Sequence, residues 1–229
     1  MMSVDEQIIP FKGKSSLKQY NPKKPKKWGY KVFVCSGSTG LIHNFEFYVG
    51  QIQPCPGKTD LGASGNIVFR LMQDVPRHCW HQVFFDNWFT SILLQVLLWK
   101  EGIASVGTVR PNRLKGCTFP PDKELSKKGR GSVVLKTGVF DGVQLNAVRW
   151  MDNKALTLLS TFAAVELVKK VRKWDKKEKK DIEVECPSII ILYNAFMGGV
   201  DLLDSLVALY TSDPKSSTTE SLFISSIWL

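Results

Sequence analysis

Short apolar runs bounded by turn residues dominate the first half of the chain. Residues 3–9, ended by Pro10, are expected to be a short strand although Asp5 and Glu6 interrupt them. Residues 30–35 and 41–49 are rich in β-formers and are joined by Ser36-Gly37-Ser38-Thr39-Gly40, a turn sequence, so a hairpin is predicted there. A short helix is expected over 66–73, after the glycine-rich stretch 62–65, and a compact apolar strand over 81–85. Thr90 is the expected N-cap of a helix that runs to Glu101 and is closed by Gly102. That helix is apolar almost all round, which predicts burial on every side. Residues 103–109 read as another strand.

From 111 to 130 the periodicity dissolves into Pro, Gly, Lys and Cys. Residues 132–140, 143–150 and 156–162 then alternate like strands of a small β-rich subdomain, and 165–180 reads as a charged linker or an exposed helix. Residues 187–196 lead into Gly198-Gly199 and a helical run over 200–210, followed by a Ser/Thr-rich tail over 211–226. No internal repeat is present. The order β-β-β-α-β-α-β, then an insertion, then a helix predicts a mixed α/β sheet carrying an inserted module. The longest apolar runs, such as 92–99, fall short of the roughly 18 residues of a bilayer span, and no secretory leader pattern is seen, so no membrane partner is expected.

Composition narrows the function classes. Of 229 residues 44% are hydrophobic and 23% charged, which excludes a chain disordered throughout and fits one or two domains with a proper core. With 31 Lys and Arg against 21 Asp and Glu, the net charge of +10 makes nucleic acid the first partner to consider, ahead of any small-molecule substrate. The excess is concentrated in Lys12, Lys14, Lys18, Lys23, Lys24, Lys26, Lys27 and Lys31, a stretch without an acid, with Tyr20, Trp28 and Tyr30 interleaved. Pro22 and Pro25 stop it from being a helix. Phosphate contact with aromatic stacking is one reading, and a solvated loop the other. A second cluster over 169–180 is diluted by Asp175 and Glu178 and reads as phosphate contact, an exposed linker or a localisation signal. Cys35, Cys55, Cys79, Cys117 and Cys186 are scattered and odd in number, as expected for reduced intracellular thiols rather than a disulfide framework.

The acids worth following sit at element ends. Asp5 lies in the first strand, Asp86 just after the strand over 81–85, and Asp201 and Asp204 open the last helix on one face. Carboxylates drawn from a first strand, a later strand end and a late helix can hold two divalent ions about 3.5–4 Å apart, the arrangement that serves phosphodiester chemistry. Magnesium suits such oxygen ligands. The competing reading is local: strand-end aspartates often cap turns, and Asp201 is a favourable helix N-terminal acid. His78-Cys79-Trp80-His81 is too compact to ligate zinc well.

The wording around those acids adds to their spacing. Val4-Asp5-Glu6-Gln7, the run Asn21-Pro22-Lys23-Lys24-Pro25-Lys26-Lys27-Trp28-Gly29-Tyr30-Lys31 and Asp86-Asn87-Trp88-Phe89-Thr90-Ser91 resemble the piggyBac-type transposases. So do Gly107-Thr108-Val109-Arg110, Asn112-Arg113, Lys115-Gly116, Trp150-Met151-Asp152-Asn153-Lys154, Leu159-Ser160-Thr161 and Tyr193-Asn194 followed by Met197-Gly198-Gly199-Val200-Asp201-Leu202-Leu203-Asp204. The resemblance implies a ribonuclease H-like mixed α/β sheet: a first core part over 1–110, a β-rich insertion over 111–186, a last core part over 187–210, and a divergent tail over 211–229. It implies that Asp5, Asp86 and Asp201 are catalytic metal ligands for Mg²⁺ (or Mn²⁺), with Asp204 as an auxiliary acid. Water and then a DNA 3′-hydroxyl would be the nucleophiles, at TTAA-type targets. DNA is the implied partner, with the eight lysines as its contacts, alongside a homodimer mate or a full-length relative, in the nucleus. Chains of this family carry a long N-terminal region and usually a cysteine-rich zinc module. Neither is read here, so a core truncated at both ends and not active on its own is expected, with a frayed first strand. The alternative is a domesticated DNA-binding or regulatory protein without catalysis.

Overall fold

The computed structural model describes residues 1–211 apart from 23, 25, 166 and 176–178. The Ser/Thr-rich tail from 212 onward and Lys23 therefore lie outside the described residues. Strand β1 (Met2–Pro10) is the spine of the molecule. It pairs antiparallel along its whole length with β3 (Trp28–Gly37), and Met2 to Val4 run parallel to β5 (His81–Phe85). The expected fraying is absent, because hydrogen bonding on both sides places β1 inside the sheet rather than at its edge. The short β2 (Lys18–Tyr20) and β4 (Ile42–Phe47) share the far side of β3. The β3–β4 turn falls on 38–40, inside the predicted 36–40, since Ser36 and Gly37 still pair in β3, and Gly40 sits at φ +82.

Beyond β5 the sheet continues through the parallel β6 (Ile103–Thr108). Strands β7 (Val133–Phe140), β8 (Val143–Met151) and β9 (Ala155–Ser160) join it through antiparallel β6–β9 pairing, in the order β3-β1-β5-β6-β9-β8-β7. These three strands thus extend the main sheet where a separate subdomain was expected. Helices α1 (Gly62–Leu71) and α2 (Ile92–Lys100) cover one face, burying Val4, Phe33, Val83 and Phe85. Helices α4 (Ser188–Phe196) and α5 (Gly199–Thr211) cover the other, α4 over Phe84, Val106 and Leu158 and α5 over Val32 and Val34. The result is a three-layer α/β architecture.

Local chemistry explains where the helices begin. Ser91, not Thr90, caps α2: its hydroxyl accepts from the Leu94 N–H at 3.2 Å, while the Thr90 hydroxyl is taken by the Asp86 carbonyl at 2.8 Å. Gly102 closes α2 at φ +72, and a Cβ there would lie 2.2 Å from the His78 backbone. The α2 core placement follows its composition, except that Leu93 reaches solvent and the buried Gln95 donates to the Leu159 carbonyl at 2.9 Å. Helix α1 starts four residues earlier than its sequence suggests. Asp60 Oδ1 accepts from Gly62 N–H and Asn66 Nδ2, both at 2.8 Å, and this anchor carries the glycines into the helix.

Two elements run against their charge pattern. Segment 165–180, expected as a linker or helix, forms strand β10 (Val168–Asp175), which pairs with β11 (Lys180–Pro187). Lysines mask the signal: the apolar stripe that seats this hairpin comes mostly from the partner strand, with Val184 and Cys186 buried and Ile182 and Val171 packed beside them. Arg130 fastens the hairpin to the β8–β9 turn by bridging Asp152 at 2.6 Å and Asp175 at 3.0 Å. In the aperiodic stretch, the six-residue α3 (Asp122–Lys127) buries Leu125. The segment spanning α4 and α5, Ser188–Leu209, is long and apolar enough by composition to cross a bilayer. Here it is interrupted by a turn at Met197 and Gly198, and Ile189, Ile190 and Val200 are fully buried against the sheet.

Helix α5 can lie so close to the sheet only because it opens with Gly199. A Cβ at that position would come 2.6 Å from the Gly37 carbonyl oxygen and 2.6 Å from Ser3 Oγ, whereas one at Gly198 would meet nothing within 4 Å. Gly199→Ala is therefore expected to cost about 1–3 kcal/mol through overpacking, and Gly198→Ala far less. Equal losses in paired thermal melts would refute the close seating. Ile190, wholly buried between α4 and the sheet, gives a second measure: Ile190→Ala should lose about 2–5 kcal/mol in denaturant unfolding.

Candidate functional site

The β1–β5 register matches Val4 with Phe85, so the next residues, Asp5 and Asp86, emerge side by side from neighbouring parallel strands. Side chains alternate along β1. Val4 faces the core under α1 and α2, while Asp5 and Gln7 face α5 on the opposite side. The chain turns immediately after β5, and Asp86 shapes that turn. Its Oδ1 accepts the Trp88 N–H at 2.7 Å, and its carbonyl accepts from both the N–H and the hydroxyl of Thr90.

Burial governs the electrostatics. Desolvation pushes the Asp5 carboxyl up to about 6, against the pull of Lys24 and of the Glu6 N–H at 2.8 Å, and the charges of Asp86 and Glu6 push it further. Asp86 is raised in the same way, first by burial and then by Glu6. The Trp88 and Phe89 N–H groups and the charge of Arg113 oppose the shift. Across the gap, α5 brings Asp201 and Asp204. Asp201 is largely exposed, and Asp204 is raised by burial against a hydrogen bond from Gln7 and the charge of Lys24. Lys24 lies between the two sides, with Nζ 3.8 Å from Asp5 Oδ2 and 3.9 Å from Asp201 Oδ1. The acids read from the sequence therefore share one neighbourhood. Among the described residues, however, no three carboxylates converge closely enough to hold an ion as they stand.

Three residues around the site carry no charge pattern that would single them out. Tyr193 of α4 is buried beneath it, hydrogen-bonded with the Thr108 side chain. Burial raises its hydroxyl, and the nearby Asp86 and Asp5 raise it further. Arg113 reaches back to the Asn87 carbonyl and acts on Asp86. Gln7 holds Asp204. Tyr193, Arg113 and Gln7 all lie within the family-like blocks of the sequence, and those blocks are the one signal in the chain that points to them.

The eight lysines divide by environment. Lys12, Lys14, Lys26 and Lys27 are exposed. Lys18 is folded back, donating to the Gly13 carbonyl at 3.1 Å and lying over the Trp28 ring. Lys31 pairs with Glu6 at 3.0 Å and sits over Phe33 and Trp88. Lys24 faces the acids. An open cleft of about 600 Å³ runs past Phe11, Lys12, Lys14, Lys18 and Trp28, and Tyr20 packs on Trp28 at a ring distance of 4.8 Å. All five cysteines are free thiols.

Comparison with known proteins gives this geometry its setting. The family described as Transposase IS4 matches residues 1–228. Human piggyBac transposable element-derived protein 3 is 32% identical over 210 residues, which is 91% of this chain and 35% of that protein. Human piggyBac transposable element-derived protein 2 is 30% identical over 211 residues, again 91% and 35%. In three dimensions the chain is similar to a piggyBac transposase solved by cryo-EM as a synaptic complex with hairpin DNA, with a TM-score of 0.66 and 27% identity over 90% of this chain and 40% of that one. The chain thus spans about a third of the length of these curated relatives. With a family match running nearly end to end and the same relationship found in sequence and in fold, the chain belongs to the Transposase IS4 family and is of the piggyBac transposase-derived type.

Proposed function

We propose that this chain is the catalytic core of a DNA-cutting and DNA-joining transposase, with a ribonuclease H-like sheet and an acidic triad of Asp5, Asp86 and Asp201. The strand order β4-β3-β1-β5-β6, antiparallel on one side of β1 and parallel on the other, supports the ribonuclease H-like reading. Segment 111–186 is the insertion between the two core parts. The observation that carries the proposal is the pair Asp5–Asp86: two half-desolvated carboxylates held side by side, with a third acid facing them across a cation.

An all-carboxylate donor set suits a hard divalent cation, and the Lys24 ammonium between Asp5 and Asp201 already shows that positive charge is accommodated there. Asp5, Asp86 and Asp201 would hold Mg²⁺ or Mn²⁺, with Asp204 in support. A bound divalent ion supplies Lewis acidity at a phosphodiester and a more acidic water. The residues themselves do the positioning. The Trp88 and Phe89 N–H groups fix the Asp86 carboxylate, and Gln7 fixes Asp204. Lys12, Lys14, Lys26 and Lys27 are free to meet DNA phosphates, and Tyr20 and Trp28 offer flat faces beside them. DNA as substrate brings with it a nuclear location. A homodimer mate or a longer relative would supply the rest of the assembly.

A second reading has its own support. Since no three described carboxylates converge, a DNA-binding protein that keeps the fold without the chemistry is the alternative, and one experiment separates the two. With Mg²⁺ or Mn²⁺, the purified chain should nick duplex DNA and Asp86→Asn should abolish it. Nicking in a chelator, or none under any condition, rules out the catalytic reading. Both readings require the exposed lysines. Neutralising Lys12, Lys14, Lys26 and Lys27 should lower the slope of log K against log salt by about 0.9 for each phosphate left without its lysine. An unchanged slope would remove them from the DNA surface.

The acid pair also dictates a pH dependence. Folded Asp5 titrates near 6, above its ordinary value of 3.8, so between these pH values the folded chain binds more protons than the unfolded one. Stability contributed by this group is greatest at low pH and falls as pH rises through that window. Asp5→Asn should flatten the slope and stabilise the metal-free protein near pH 7.5 by on the order of 2–3 kcal/mol. Denaturant unfolding across pH 4 to 7.5 tests this, and a mutant less stable than the parent at pH 7.5 would refute it.

A further inference from the structure

Lys24 is the most unusual placement among the described lysines of this run. Its side chain is only 16% exposed, although lysine is rarely buried without a partner at hydrogen-bond distance. Its ammonium makes no such contact with the acids it faces. At 3.8 Å from Asp5 and 3.9 Å from Asp201 it faces both through charge, between a sheet acid and a helix acid, and its charge reaches Asp204 as well. The turn that carries it hangs from the site. The Asn21 side-chain amide donates to Glu6 Oε1 at 3.0 Å, the Asn21 N–H donates to the Lys27 carbonyl at 2.8 Å, and Lys24 sits between these two anchors. A lysine ammonium is a compact point charge on a flexible stem, able to swing away without unfolding its turn.

We infer that Lys24 is a tethered cation that keeps Asp5 and Asp201 together in the ion-free protein and competes with a divalent ion for the same carboxylates, so that ion loading expels the Lys24 side chain to the surface. The inference rests on the acidic-site reading above and adds a positioning residue to it. The physical reason is charge balance. Without Lys24, Asp5 and Asp86 would face Asp201 and Asp204 with no positive charge between them. With both Lys24 and a divalent ion in place, two cations would crowd the same oxygens. A divalent ion carries twice the charge, so it displaces the ammonium, but at a cost in affinity set by the pair it breaks.

Mn²⁺ binding to the whole chain at pH 7.5, read by electron paramagnetic resonance and calorimetry, tests this without any turnover. Lys24→Gln and Lys24→Met should bind Mn²⁺ about tenfold more tightly than the parent, Lys24→Arg should not, and Asp86→Asn should lose binding. Unchanged or weaker binding by cooperatively folded Lys24→Gln and Lys24→Met, with Asp86→Asn still deficient, overturns the role of Lys24 and leaves the acidic site standing. Absence of Mn²⁺ binding sensitive to Asp86→Asn overturns both. A second measurement needs no substitution at Lys24. In chelator, acetylation followed by mass spectrometry should modify Lys24 several-fold more slowly than Lys26 and Lys27, and Mg²⁺ should remove the difference in the parent but not in Asp86→Asn. Protection of Lys24 that ignores Mg²⁺ would overturn the proposal.

Discussion

Two like charges on adjacent parallel strands are the constraint around which this end of the molecule is built. The register that pairs Val4 with Phe85 forces Asp5 and Asp86 together at a partly desolvated position, where each extra negative charge is expensive. Every neighbouring element answers that cost. The turn after β5 folds its Trp88 and Phe89 N–H groups onto Asp86, the turn between β2 and β3 delivers Lys24 to Asp5, and Lys31 and Asn21 neutralise and anchor Glu6.

Strand parity keeps that arrangement sorted. Along β1, Met2 and Val4 feed the core beneath α1 and α2, while Ser3, Asp5 and Gln7 meet α5. A slip of one residue against β3 would exchange the two sets, burying Asp5 in an apolar layer and turning Val4 toward the helix acids. Nine paired residues between β1 and β3 guard against this slip far better than the three shared with β5. The antiparallel partner therefore fixes the register, and the parallel partner uses it to align the acids.

The same distinction explains what could be read from the chain. Asp5 and Asp86 were legible because each lies in or just after a short strand that local sequence predicts. Their closeness, like the Gly199 contact with Gly37, depends on pairing between distant segments; the order of elements suggested it and the family blocks strengthened it. The lysine run was legible as a surface, but three of its members are consumed internally: Lys18 by carbonyls, Lys31 by Glu6 and Lys24 by the acids. A count of charges cannot distinguish these from Lys26 and Lys27. The β10–β11 hairpin was hidden because its apolar stripe lies mainly on β11 while the lysines of β10 advertise solvent. Thr90 and Ser91 are equally good caps by type. The Asp86 carbonyl, by taking the Thr90 hydroxyl, decides between them.

The acids also differ in how firmly they are held, and that difference bears on function. Asp5 and Asp86 belong to hydrogen-bonded strands and a tight turn, so their separation is set by the sheet. Asp201 lies on the solvent side of a helix whose Val200 and Leu203 pack on the sheet, and it is mostly solvated. In the proposed site, two acids fixed by the sheet and one on the helix surface would avoid the full repulsion of a closed acidic cluster while no ion is bound. The exposed Asp201 and the intruding Lys24 are then two sides of one solution. Tolerating a partly assembled acidic site without a bound ion requires a ligand that can stand back and a positive charge that can stand in.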